Sequence, residues 1–222
     1  MFDTTCAACL CVLVTLPSAA TAQAPSATEA ETAVLARVID FLCLDLQPEG
    51  LGCETVVLLQ SEGTDATADL LVFAQDPSTD RRSVIAARGV VFSGPFDGQR
   101  PSLEAAADGT LLLHSEQFAV GRTPWTESLS IREHDGELSI IASAFSMLDR
   151  PAGGALSCDV DFVTGAWRVQ AERTDSETGA VTQTWDQSGA AAIAPSPIGG
   201  WSDEPPIEQC NGVIAEWFAA VP

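Results

Sequence analysis

The stretch that decides the fold is Ser128-Leu129-Ser130-Ile131-Arg132-Glu133-His134-Asp135-Gly136-Glu137-Leu138-Ser139-Ile140-Ile141. Polar and apolar residues alternate on both sides of His134-Asp135-Gly136. A period of two marks a strand with one buried face. Asp-Gly between two such runs is hairpin chemistry, because the central turn residues take positive φ. Working outward, the same grammar repeats. Strand candidates are Thr55–Leu59, Leu70–Phe73, Ser83–Ala86, Gly89–Phe92, Leu111–Leu113, Glu127–Glu133, Leu138–Phe145, Leu156–Phe162, Trp167–Glu172 and Val181–Trp185. Asp97-Gly98, Asp108-Gly109, Thr164-Gly165 and Thr178-Gly179 punctuate them. Val160–Phe162 and Trp167–Val169 form a second predicted hairpin around Thr164-Gly165. Short regular connections favour antiparallel meanders over parallel crossovers.

Both ends read differently. Ser26-Ala27-Thr28-Glu29 has capping-box spacing. Val34, Leu35, Val38, Ile39 and Leu42 then recur at helical spacing, which predicts a helix over about 28–43. After Gly189, four prolines and Gly199-Gly200 predict an extended tail over 190–222, with a short helix near Gly212 to Ala220. The expected fold is mainly β: an antiparallel meander or sandwich-like sheet over about 54–189, an N-terminal helix and a disulfide-tethered tail.

The seven cysteines divide unevenly. Cys6, Cys9 and Cys11 lie in an apolar run from Cys6 to Leu16, followed by Pro17 and the small-x-small site Ala20-Thr21-Ala22. This pattern is that of a secretory signal peptide over 1–22, although Met1 to Thr5 carry no Lys or Arg. The competing reading is a cytosolic chain with an apolar N-terminal strand. The run is too short to span a bilayer, and no later stretch is long and apolar enough. Cleavage after Ala22 leaves one domain over 23–222 with an even set, Cys43, Cys53, Cys158 and Cys210. In an exported chain that set reads as two disulfides. Cys43–Cys53 and Cys158–Cys210 are the expected pairs, and two other pairings satisfy the count equally. The expected location is periplasmic or secreted.

The formal charge is −21, from 31 acids and ten bases. Nucleic acid and anionic membranes need a basic face, so neither is an expected partner. All ten bases are arginine, and there is neither Lys nor Tyr. A GC-rich genome accounts for the absence of Lys and Tyr and a saline habitat for the acidity, and neither names a substrate.

Three local clusters invite chemistry. Asp65 and Asp69 flank a calcium-loop-like segment, but Ala66 and Ala68 occupy ligand-type slots; an acidic solvated turn is the expectation there. His114-Ser115-Glu116 lines up a base, a hydroxyl and an acid, but adjacent strand residues point to opposite faces. His134 falls in the hairpin turn. Gly121-Arg122-Thr123-Pro124-Trp125 is the most unusual cluster. Arg122 can stack on Trp125 or present a planar fork to a carboxylate or sugar; alternatively the segment is a bulged strand start with Trp125 capping the core. No phosphate loop, dinucleotide fingerprint, zinc ribbon or glycosidase carboxylate pair is legible. No catalytic residue, metal ligand or cofactor is expected, and Arg122 with Trp125 is the expected binding surface.

His114 to Trp167 also resembles a family of exported, functionally uncharacterised β-rich proteins of Gram-negative bacteria. The shared pattern is Gly109-x-Leu111, Gly121-Arg122-x-x-Trp125, Leu129-Ser130-Ile131-Arg132 with Asp135-Gly136, an aromatic strand ending in Asp149, and Ser157-Cys158-Asp159-Val160 leading to Thr164-Gly165. The similarity covers roughly residues 55–170. This chain departs from the pattern in its degenerate 62–69 loop and in Ala144, Phe145 and Met147, where tyrosines are usual. The resemblance implies export and a β-rich fold, and no activity. The expected function is a non-catalytic binding or envelope-associated domain. The alternative is a carboxylate-dependent hydrolase of an envelope polymer, which needs two carboxylates about 5–9 Å apart in a concave pocket.

Overall fold

The computed structural model describes residues 26–46, 52–76, 81–118, 120–201 and 208–220. It is mainly β. In chain order the elements are α1 (Glu29–Leu35), β1 (Val38–Leu44), β2 (Glu54–Gln60), β3 (Thr67–Asp76), β4 (Arg81–Phe92), β5 (Ser102–Ala105) and β6 (Leu111–Gln117). Then follow β7 (Trp125–His134), β8 (Glu137–Leu148), β9 (Gly154–Asp161), β10 (Ala166–Thr174), β11 (Val181–Ala190), β12 (Ser196–Pro197), a 3-10 turn (Ile198–Gly200) and α2 (Glu208–Ala219). Strands β1 to β4 form one antiparallel sheet in sequence order, and β5 to β11 form the second, with β12 added beside β8.

The hairpin at the centre of the sequence is β7–β8. Asp135 (φ 53°) and Gly136 (φ 82°) form its turn, and His134 pairs with Glu137. One detail departs from strict alternation. Ser130 pairs with Ala142 but Ile131 pairs with Ile140, so Ile141 is a bulged residue. Val56, Leu58, Leu70 and Val72 from the small sheet and Leu113, Leu129, Ile140 and Val169 from the large one belong to one buried cluster. Such alternation commits each strand's apolar half to a single side.

Three expectations are corrected. The helix over about 28–43 stops at Leu35, and Val38–Leu44 is strand β1, paired from Leu44↔Glu54 to Val38↔Leu59. The capping box is Thr28 with Glu31. In Val38-Ile39-Asp40-Phe41-Leu42 the helical and strand periods share positions, and β-branched and aromatic residues with an available partner strand decide for the strand. None of the residues of α1 is buried. The strands also run beyond 54–189, from Val38 in β1 to Pro197 in β12, and β5 forms within that range where no strand is expected. Ser83–Ala86 and Gly89–Phe92 are one strand, β4, which passes through Gly89 at φ 57° with a register shift opposite Ala68 and Leu70. The 1–22 signal segment lies outside the described residues.

Cys43 joins Cys53 with Cα atoms 5.4 Å apart, and Cys158 joins Cys210 at 6.1 Å. Both separations suit a disulfide. The first staples β1 to the approach of β2 and not a helix end to a strand. The second fixes α2 to β9. On α2, Cys210, Val213 and Trp217 are buried at helical spacing. The tail expected over 190–222 is therefore built in: β12 pairs with Ser139 and Ile140, and Ile198 is buried. Among the described residues, no helix is long and apolar enough to cross a membrane.

Candidate functional site

Although Ser115, Glu127, Ser139, Ser143 and Arg173 are buried, most polar residues of the large sheet lie on the face opposite the core. The register aligns these residues in rows across the strands. One row is Ser102, His114, Ser128, Ala144, Asp159, Arg168 and Ser188; the next is Glu116, Thr126, Ser146, Ser157, Gln170 and Asp186. In these rows the middle strands β7 to β9 carry short side chains, Asp159 being the longest, while β6 carries His114 and Glu116 and β10 carries Arg168 and Gln170. Short residues between two walls make a trough. Two hollows of about 400 and 550 Å³ lie along it and share Ser146 and Ser157. A third of about 400 Å³ extends the face past Ser130, Ala142 and Asp161. Strands stand about 4.8 Å apart, so the seven from β5 to β11 span roughly 29 Å.

The walls are polar and mostly self-paired. His114 Nε2 lies 3.3 Å from Glu104 Oε2. Arg168 forks onto Asp186, with Nε to Oδ1 at 3.1 Å and Nη2 to Oδ2 at 2.9 Å. The Arg168 bonds hold the Asp186 carboxyl below its usual range. On the floor, the Thr126 and Ser146 hydroxyls are 2.8 Å apart. Asp161 ends its row as a turn acceptor, bonded by the Val163 and Thr164 N–H groups, which lower its pKa. Ser115 is on the opposite face from His114 and Glu116, donating to the Phe92 carbonyl. The three adjacent residues are thus not one catalytic set.

The Arg122–Trp125 corner is put to internal use. The Trp125 ring packs against Phe92 and Phe145, and its Nε1–H donates to Gln117 Oε1 at 2.9 Å. Arg122 presents its fork to Asp149, Nε to Oδ1 and Nη2 to Oδ2, both at 3.1 Å. Asp149 is buried. Its Oδ2 also accepts from Arg173 Nη1 at 2.9 Å, and its Oδ1 from the Ala152 N–H at 3.3 Å. Burial raises the Asp149 pKa, but these bonds outweigh it and hold the carboxyl below its usual range. Arg173 is buried in turn, its guanidinium 3.8 Å from the centre of the Trp217 ring. It donates from Nε and Nη2 to the Trp217 carbonyl, one of the last carbonyls of α2. The last carbonyls of a helix generally lack helical partners, and a cation there suits the helix dipole.

The 62–69 loop also departs from expectation. Asp69 is a buried anion and not part of a solvated turn. It accepts from Ser61 Oγ at 2.6 Å, Arg88 Nη1 at 2.6 Å and the Gly89 N–H at 3.0 Å. Burial raises its pKa, and these donors outweigh burial. Arg37 stands near it and pairs with Glu62. Arginine and a backbone N–H thus occupy the carboxylate that a cation would need, whereas Asp65 is exposed. Among the described residues, no three His, Cys, Asp or Glu side chains are grouped to hold a metal.

Asp149 and Asp69 make a pH prediction. Both have lowered folded-state pKa values, so the stability they contribute is fully present above the unfolded carboxylate value of about 3.9. It is lost as pH falls below that value and through the folded-state values. Thermal melts are expected to show Asp149→Asn well below the parent chain at neutral pH, with the gap closing in acid. A gap independent of pH would contradict a charged Asp149.

Comparison of the chain with protein families, curated proteins and solved structures found no match.

Proposed function

We propose that this chain is an exported, non-catalytic binding domain whose ligand face is the trough, and that its ligand is an extended, hydroxyl-rich polymer of the cell envelope. The observation that carries this reading is the aligned set of short side chains on β7 to β9 between the longer polar residues of β6 and β10, strands roughly 19 Å apart. Hydroxyl and carboxylate side chains on a pre-formed floor exchange bonds with water for bonds with sugar hydroxyls at little ordering cost. Glu104, Glu116, Asp159 and Glu172 outnumber the bases along the trough, and the whole chain is acidic. That balance favours neutral or amine-bearing chains over polyanions. Two disulfides fit an oxidising compartment.

The hydrolase reading finds less support. Glu116 and Asp159 share the central hollow, but their strands β6 and β9 are three spacings, about 14 Å, apart at the backbone, against carboxyl separations of roughly 5–9.5 Å in glycosidases.

Ala144→Trp tests the reading. Ala144 is exposed at the middle of the floor, so an indole there fills the trough without entering the core. Calorimetric titration with a chitosan hexamer is expected to give saturable binding to the parent chain. At least a tenfold weakening is expected in Ala144→Trp, with melting unchanged. Equal binding by both would place the ligand elsewhere. Release of shortened oligomers, lost in Glu116→Gln, would promote the hydrolase.

A further inference from the structure

The large sheet has one open edge among the described residues. At the other end, β5 is capped by β1, where the Leu103 N–H donates to Asp40 Oδ2 at 2.8 Å. Strand β11 pairs only with β10 and is ten residues long, with nine of them exposed. Free edges normally carry guards such as Pro, Lys or inward charges, because unpaired N–H and C=O groups template further pairing. Val181–Ala190 contains no Pro, Lys or Arg and a single charge, Asp186.

We infer that β11 pairs antiparallel with β11 of a second copy of this chain, across a two-fold axis centred on Trp185. The register decides the centre. The Ala191 N–H donates to the Gly165 carbonyl, and Trp167, Val169 and Ala171 face Gly189, Gln187 and Trp185. In an antiparallel ladder this parity turns the N–H and C=O of odd residues toward β10. The even residues Thr184, Asp186 and Ser188 direct theirs to the open edge. A two-fold at Asp186 would set the two carboxylates directly opposite each other, which is repulsive. A two-fold at Trp185 sets Thr184 against Asp186 of the second copy as a hydrogen-bonded pair, in both directions. The two Trp185 residues then face each other at a non-hydrogen-bonded position, where cross-strand side chains approach most closely.

This axis is perpendicular to the sheet, so both copies present the same face on the same side. The sheets become one continuous sheet, with both polar faces on the same side and the β11 walls of the two troughs meeting at Thr184 and Asp186. The assembly needs only the open edge and stands whether or not the trough binds a polymer. Each copy is strongly acidic, so mutual repulsion opposes the pairing and salt relieves it.

Light scattering on the full, disulfide-intact chain tests the pairing. Twice the chain mass is expected at about 0.5 M salt, with partial dissociation at about 0.02 M, where screening is weaker. Thr184→Pro deletes an N–H that points away from β10 and is expected to give a monomer with unchanged circular dichroism. If proline disturbs the strand, Thr184→Asp puts a second carboxylate opposite Asp186 and is expected to give a monomer as well. A parent chain that stays monomeric at high salt, or a dimer unmoved by either substitution, would overturn the inference. Loss of the dimer with trough binding retained would leave the binding reading standing.

Discussion

Replacing Asp149 with alanine is expected to lower the unfolding free energy by about 3–5 kcal/mol, the usual cost of removing one partner from a buried charge pair. Arg173 is 4% exposed and Asp149 1% exposed, and among the described residues Asp149 is the carboxylate bonded to it. Without Asp149 the guanidinium keeps only the carbonyl oxygens of Trp217 and Gly153 and the Trp217 ring. Arg122 is more than half exposed, so its share of the pair is screened by water. Arg122→Ala is therefore expected to cost far less than Asp149→Ala. Urea titration separates the two: the Asp149→Ala midpoint drops well below that of Arg122→Ala at similar slope. Equal, small losses would show that the cluster holds nothing together.

Removing the Cys158–Cys210 disulfide with a double alanine substitution is expected to cost about 4 kcal/mol by the loop-entropy relation, against about 2.7 for Cys43–Cys53. The difference follows from loop lengths of 52 and 10 residues. Cys210 and Trp217 stand on the same face of α2, so the disulfide and the Arg173 contact hold one element. Combining Asp149→Ala with the double alanine change is accordingly expected to cost less than the sum, because once α2 is detached the second hold has little left to secure. Full additivity would mean that the two are independent.

The strands were legible where one face is buried and the turn chemistry is explicit, as at Leu129, Ile131 and Asp135-Gly136. Ser102-Leu103-Glu104-Ala105 is too short to show a period. Val38 to Leu42 satisfied two periods at once, and pairing with β2 settled it. Arg122 presents its planar fork to a carboxylate that lies 27 residues along the same chain, and Arg173 reaches that carboxylate from 24 residues away. Local sequence carries no trace of such convergence. Asp69 eluded the sequence for the same reason, since Arg88 and Gly89 meet it across β3 and β4. The trough is a property of register. Ser128, Ala144 and Asp159 each look like an ordinary exposed strand residue until pairing sets them side by side.

The proposed function has this aligned face bind an extended hydroxylated polymer. Its most direct test is the amide chemical-shift map of the intact chain titrated with a chitosan hexamer. The expected result is a saturable set of shifts on β6 to β10, centred on Ser128, Ala144 and Ser157 and absent in Ala144→Trp. Shifts confined to the Arg122 corner or to the four-stranded sheet, or no shifts at millimolar ligand, would contradict it.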